Sequence, residues 1–320
     1  MSEKESIMRK KRNSIRNLSN MLLLITSIIW GFAFIAQSIG MNYIGPWTFV
    51  FARFILAAII LVPVTVYSEK LYRNSDPRFH TKNENQVKEY KRECIFGGAL
   101  TGLFLGLASI TQQIGIQKTS AGKAGFITAL YVILVPILGI FLKKMPQKKI
   151  WICAALALLG LYRISMKDAS FNIGSGDLYV IVCAFVFSFQ IISIDHYSAR
   201  VNPVLLANIQ FLFAATVGFV GMIVFEKWEW NQILNGIVPV LYAGILSSAV
   251  GYTLQTLCQR HTDPSIASLI MSLESVFSAL GGFLILKERM TFRELSGCAF
   301  VFAAVLIAQI DIKKKSSASG

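Results

Sequence analysis

Residues 17–52 read NLSNMLLLITSIIWGFAFIAQSIGMNYIGPWTFVFA, thirty-six positions with no charged side chain between Arg16 and Arg53. A helix crosses the roughly 30 Å hydrocarbon core of a bilayer with about 20 mostly apolar residues. The stretch therefore holds one membrane helix and the start of a second, with a turn between Gly40 and Pro46. Lipid offers backbone groups no water, so a spanning segment must be a helix or belong to a closed barrel. Barrel strands would show as alternating segments of about ten residues, and this run does not alternate.

Worked outward, the same reading gives ten spans, near 21–39, 47–67, 94–115, 121–142, 148–165, 175–196, 203–225, 235–258, 264–286 and 292–310. The fifth and tenth are the shortest. Composition agrees: 54% of the 320 residues are hydrophobic and 15% are charged, against about 25% charged in an ordinary soluble domain. Mean hydropathy is +0.58. These values exclude a soluble enzyme and a disordered chain. The excess of 31 Lys and Arg over 17 Asp and Glu has a membrane explanation rather than a nucleic-acid one. Cytoplasmic loops are rich in Lys and Arg. With both termini cytoplasmic, 22 basic residues fall inside and 8 outside, and Arg53 lies within a span. The first half carries nearly all of that bias. Arg9, Lys10, Lys11, Arg12 and Arg16 precede the first span, whose apolar run is too long for a signal peptide, so it reads as a retained helix. Residues 1–16 and 311–320 read as solvated cytoplasmic tails. The connection from Glu69 to Glu93 reads as a long cytoplasmic loop whose bases meet anionic lipid headgroups.

The chain repeats itself. At an offset of 157, Pro46 matches Pro203, Phe54 matches Phe211, Ala57-Ala58 match Ala214-Ala215, and Glu69-Lys70 match Glu226-Lys227. At an offset of 143, Gln112 matches Gln255, Thr119 matches Thr262, Leu130 matches Leu273 and Gly139 matches Gly282. The shorter offset reflects the loop missing from the second half. The unit is five helices. Because five is odd, the second copy enters from the opposite side, which predicts two inverted repeats, 17–168 and 174–310, as in many secondary transporters.

Several motifs resemble the EamA domain of the drug/metabolite transporter superfamily: Trp30-Gly31, Phe51-Ala52-Arg53-Phe54, Thr119 to Ile127 continuing through Tyr131 to Pro136, Gly176-Asp177-Leu178, and Ser272 to Phe277 with Glu274. The resemblance covers about residues 17–310. Ser275 stands where a proline commonly follows the glutamate, and Ser188 stands where the first half has Gly31. The resemblance implies a ten-helix carrier in the cell membrane. Members move amino acids, sugars, nucleotide sugars and other metabolites, many of them outward.

Ionisable groups at membrane depth are costly and mark cavities or partners. Glu274 is the acid nearest the middle of a span, and it reads as a contact for a substrate ammonium or a proton acceptor. Arg53 is suited to a carboxylate or phosphate, or to loop carbonyls as a structural group. Gln112 and Gln255, as symmetry mates, are expected at opposite mouths of one path. Gln190, Gln37 and Gln113 add amides, and Trp30, Tyr131 and Tyr252 add aromatic walls. Gly98, Gly102 and Gly106 share one helix face and read as packing. His80, His196 and His261 are too scattered for a metal site, and the five cysteines show no Cys-x-x-Cys spacing. No phosphate-binding loop is present. The expected protein is a secondary transporter, an exporter or exchanger of small metabolites such as amino acids. Its partners are the solute, protons and membrane lipid, with no cofactor, metal or nucleic acid. The competing class is an intramembrane enzyme or sensor built on the central glutamate.

Overall fold

A computed structural model describes residues 3–80, 84–165, 173–285 and 290–310. Lys82, Lys167, Glu288 and the 311–320 tail lie outside them. Among the described residues all regular structure is helical. The helices are α1 (Glu3–Gly40), α2 (Pro46–Ser75), α3 (Glu84–Lys118), α4 (Ala121–Thr128), α5 (Tyr131–Phe141), α6 (Lys148–Ser165) and α7 (Ser175–Ser198). They continue with α8 (Pro203–Phe225), α9 (Trp230–Asn235), α10 (Ile237–Leu241), α11 (Thr253–Gln259), α12 (Pro264–Met271), α13 (Glu274–Ile285) and α14 (Phe292–Gln309). A π-helical stretch, Tyr242–Tyr252, joins α10 to α11.

Nine helical stretches among the described residues are long and apolar enough to cross a membrane. The expected fifth span is the exception. It forms helix α6, but Lys148, Lys149 and Arg163 fall within its eighteen residues. The long loop expected at 69–93 is also different. Helix α2 runs on to Ser75 and α3 starts at Glu84, so charge marks helix protruding beyond the apolar stretch rather than loop. The Arg73–Glu69 pair at 2.8 Å supports that extension of α2. Beyond it, Arg78 hydrogen-bonds Asp76 and holds its carboxyl down at about 2. Residues 3–16, read as a solvated tail, likewise prolong α1 as helix.

The helix starts follow from local sequence. Pro46, Pro203 and Pro264 occupy first-turn positions, where their missing N–H costs nothing. Ser120, Asn202 and Asp263 cap α4, α8 and α12 through their side chains. Helix α2 packs on α8 and α6 on α14; α3 packs on α7 and α8, while the π-helical stretch packs on α1 and α2 and α11 on α1 and α8. Helices α12 and α13 pack on α1 as α4 and α5 pack on α7. Gly98, Gly102 and Gly106 bring α3 against α8: a Cβ on Gly102 would stand 2.5 Å from the Gln210 carbonyl oxygen. Apolar side chains such as Val62, Val66, Ile223 and Val224 are exposed around the bundle. One end of the bundle, end A, carries the turns near 41–45 and 119–120; the other, end B, carries those near 142–147, 199–202 and 260–263.

Two breaks set the interior. Between α4 and α5 the chain tightens at Ala129 and Leu130, where the Val132 N–H bonds the Ala129 carbonyl. Between α12 and α13 it tightens at Ser272 and Leu273, where the Ser275 N–H bonds the Ser272 carbonyl. The two breaks are mates at the 143 offset. Each is a single turn with the shorter bonding of a 3₁₀ helix, and each starts a new helix in mid-bundle.

Candidate functional site

The two new helices begin with Tyr131 and Glu274. These residues are themselves mates, and they touch: the Tyr131 hydroxyl donates to Glu274 Oε1 at 2.9 Å. Glu274 is buried, in the first turn of α13, where the dipole of a half-helix favours an anion. Its place depends on Gly31, whose Cβ, if present, would lie 2.4 Å from Phe277 Cβ and 2.8 Å from the Glu274 carbonyl oxygen. Gly31→Val therefore forces α1 off α13. The expected cost is about 1–3 kcal/mol, read as a lower melting temperature in detergent.

Arg53 is also buried. Its Nε donates to Ser248 Oγ at 3.0 Å, one amino group to Gln37 Oε1 at 3.3 Å, and the other to Ser247 Oγ at 3.3 Å. Serines 247 and 248 are consecutive, and the π-helical winding, with more residues per turn, lets both reach the guanidinium. The guanidinium carbon lies 4.8 Å from the centre of the Phe54 ring. Every side chain that Arg53 bonds is neutral, and no ion pair to it occurs among the described residues.

Arg53 and Glu274 line one cavity together with Gln112, Gln190, Gln255, Trp30, Tyr131 and Tyr252. Gln37 lines it as well, while Gln113 does not and donates instead to the Gln37 carbonyl at 3.3 Å. Gln190 bonds Gln255 through both amides, at 3.3 and 3.4 Å, while Gln112 donates to Thr128 Oγ1 at 3.2 Å. Trp30 Nε1 donates to the Ser247 carbonyl at 3.0 Å, and its ring lies 4.7 Å from that of Tyr252. The two mates Gln112 and Gln255 were expected at opposite mouths. Both instead line this one cavity. Sequence reading missed the apolar wall of Phe34, Phe187, Ile191 and Met271. Position arithmetic would have found one of these, Phe187, the mate of Trp30; Ile191 and Met271 are the mates of Phe34 and Thr128, which line the cavity too.

The cavity is narrow, about 30 Å³, room for a water or two. A larger cavity of about 500 Å³ opens at end B, lined among others by Val135, Ile192, Asp195, Gln259 and Thr262. Tyr131 and Val135, Ile191 and Asp195, and Gln255 and Gln259 are each one helical turn apart. On three helices, one turn separates the large cavity from the central one. Chemically, the centre offers a guanidinium, a carboxyl, amides and aromatic faces, a set that can hold a small zwitterion.

The sequence profile of the EamA-like transporter family matches residues 17–166 and again 174–309. An uncharacterized transporter of Archaeoglobus fulgidus is 28% identical, over 91% of this chain and 85% of its own. The threonine/homoserine exporter RhtA of Escherichia coli is 24% identical, over 67% of this chain and 71% of its own. A solved crystal structure with 14% identity superposes with a TM-score of 0.72, covering 91% of this chain and 96% of that one.

Proposed function

This chain belongs to the EamA-like transporter family, and we propose that it is a secondary transporter of small zwitterionic metabolites, amino acids first, working by alternating access to the central cavity. The observation that carries the reading is the pair Arg53 and Glu274. Both are buried in one cavity, and each hydrogen-bonds only neutral side chains there. A buried charge without an opposite partner is costly, and a solute bringing a carboxylate and an ammonium supplies both partners. The exporter named among the relatives supports outward movement of amino acids.

The mechanism needs ten helices in two inverted halves, with α6 as the fifth span. Mates that touch each other support it. Tyr131 bonds Glu274, and Phe54 stacks on Phe211 with centroids 6.2 Å apart. A residue in contact with its own mate lies on the pseudo-twofold axis, and inverted-repeat transporters place their sites there. The packing pairs given above exchange with one another when the halves are exchanged. A cavity of about 30 Å³ admits a metabolite only when the halves move apart.

In the proposed orientation end B is cytoplasmic. Cysteines placed at 80 and 147 then react with an impermeant reagent only from inside, and one at the exposed position 173, beside the undescribed residues 166–172, only from outside. External labelling at 80 contradicts the orientation. The function is tested with proteoliposomes loaded with a metabolite mixture, with and without a pH gradient. Protein-dependent release of amino-acid-like solutes is expected, accelerated by the gradient. Release no faster than from empty liposomes, for every zwitterion supplied, refutes the proposal.

A further inference from the structure

The same seam occurs twice in the fold, once at each end, and its two copies differ in charge. At end A the start of α7 meets the end of α3 and the start of α4. Asp177 accepts from the Thr119 hydroxyl at 2.8 Å and from Lys123 Nζ at 2.5 Å. Its side chain is 3% exposed and that of Lys123 is 23% exposed. The backbones close tightly beneath, since a Cβ on Gly176 would stand 3.1 Å from the Gly115 carbonyl oxygen. At end B the mates of these residues meet in the same way. Thr262, mate of Thr119, donates to Oδ1 of Asn20, mate of Asp177, at 3.1 Å. The mate of Lys123 is Ile266, and the mates of Gly115 and Gly176 are Cys258 and Ser19. The first-half seam is thus ionic and glycine-packed, while its counterpart is neutral and joins larger residues, Thr262 to Asn20 and Cys258 to Ser19. The 500 Å³ cavity lies beside the neutral copy, with Thr262 in its wall.

We propose that Asp177, Thr119 and Lys123 form the gate that closes end A, and that the neutral Asn20–Thr262 seam leaves end B the readier to open. The assignment rests on the alternating-access reading above. End B has an ionic tie of its own, Lys144 to Asp195, at the rim of the cavity. There the lysine is 57% exposed, so water and salt screen the pair more than they screen Asp177. Asp177 also accepts from the Gly174 N–H at 2.8 Å and so caps α7. For that reason Lys123, not Asp177, is the residue to change first.

Two reporter cysteines read the state. Ile192→Cys lies in the end-B cavity, and Ile35→Cys is at its buried mate near end A. The parent's own cysteines are all buried. Lys123→Ile removes the ionic bond from end A and leaves the Thr119 and Gly174 contacts of Asp177 in place. It is expected to raise labelling of the residue-35 reporter from outside about tenfold and to lower labelling of the residue-192 reporter from inside, as a shift between two states requires. Asn20→Asp combined with Ile266→Lys moves the ionic seam to end B and is expected to act in the same direction. Labelling unchanged from the parent in both variants overturns the gate. If both reporters become more reactive together, the ends do not alternate and the reading beneath the proposal fails as well.

Discussion

Glu274→Gln is expected to fold and insert like the parent and to lose gradient-driven transport by about a hundredfold or more, the scale of removing one member of a buried charge contact. The amide keeps the shape and can still accept from Tyr131, whose hydroxyl bonds Glu274 Oε1 in the parent. It can neither take up a proton nor pair with an ammonium. Solute-for-solute exchange is the only activity expected to survive. Glu274→Asp keeps the charge but withdraws it by one methylene. It is expected to retain part of the rate with an altered pH profile. The measurement is uptake into proteoliposomes over a mildly acidic to mildly alkaline series. A glutamine variant that follows the parent throughout assigns Glu274 a structural role only.

The second large effect belongs to Arg53. Its mate is Gln210, so Arg53→Gln makes the two halves alike at this position. The guanidinium is fully enclosed, with only neutral partners. Replacing it is therefore not expected to lower stability, since it removes a buried charge that no acidic side chain among the described residues pairs with. Specificity is expected to change instead. Transport of a carboxylate-bearing solute should fall about a hundredfold, while the matching amide is affected far less, as expected for a site that loses one charged contact. A melting temperature well below the parent's, with both solutes lost equally, would make Arg53 a scaffold residue.

The spans were legible because lipid imposes one requirement on the whole chain, long apolar helix, and the sequence meets it almost everywhere. The site was legible for the complementary reason. A glutamate, an arginine and several glutamines inside apolar runs stand out, and they converge on one cavity. The breaks at Ala129–Leu130 and Ser272–Leu273 were not legible. Neither carries a glycine or proline, and an apolar run reads the same whether its hydrogen bonds are continuous or shortened for one turn. The apolar wall of the cavity was hidden similarly, since Phe34 and Ile191, mates of each other, look like any packed residue. The charged stretch from Glu69 to Glu93 misled because a solvated helix and a solvated loop have similar composition. Its i,i+4 pair, Glu69 and Arg73, was the available sign of helix.

Distances across the two ends, measured by pulsed electron spin resonance, test alternation most directly. One pair of spin labels spans end A, at Gly122 and Trp228, and another spans end B, at Gln147 and His261; all four positions are exposed. Adding the transported zwitterion should lengthen one distance and shorten the other within the same population. Two distances that move in the same sense, or that stay fixed while the solute binds and is transported, would contradict alternating access.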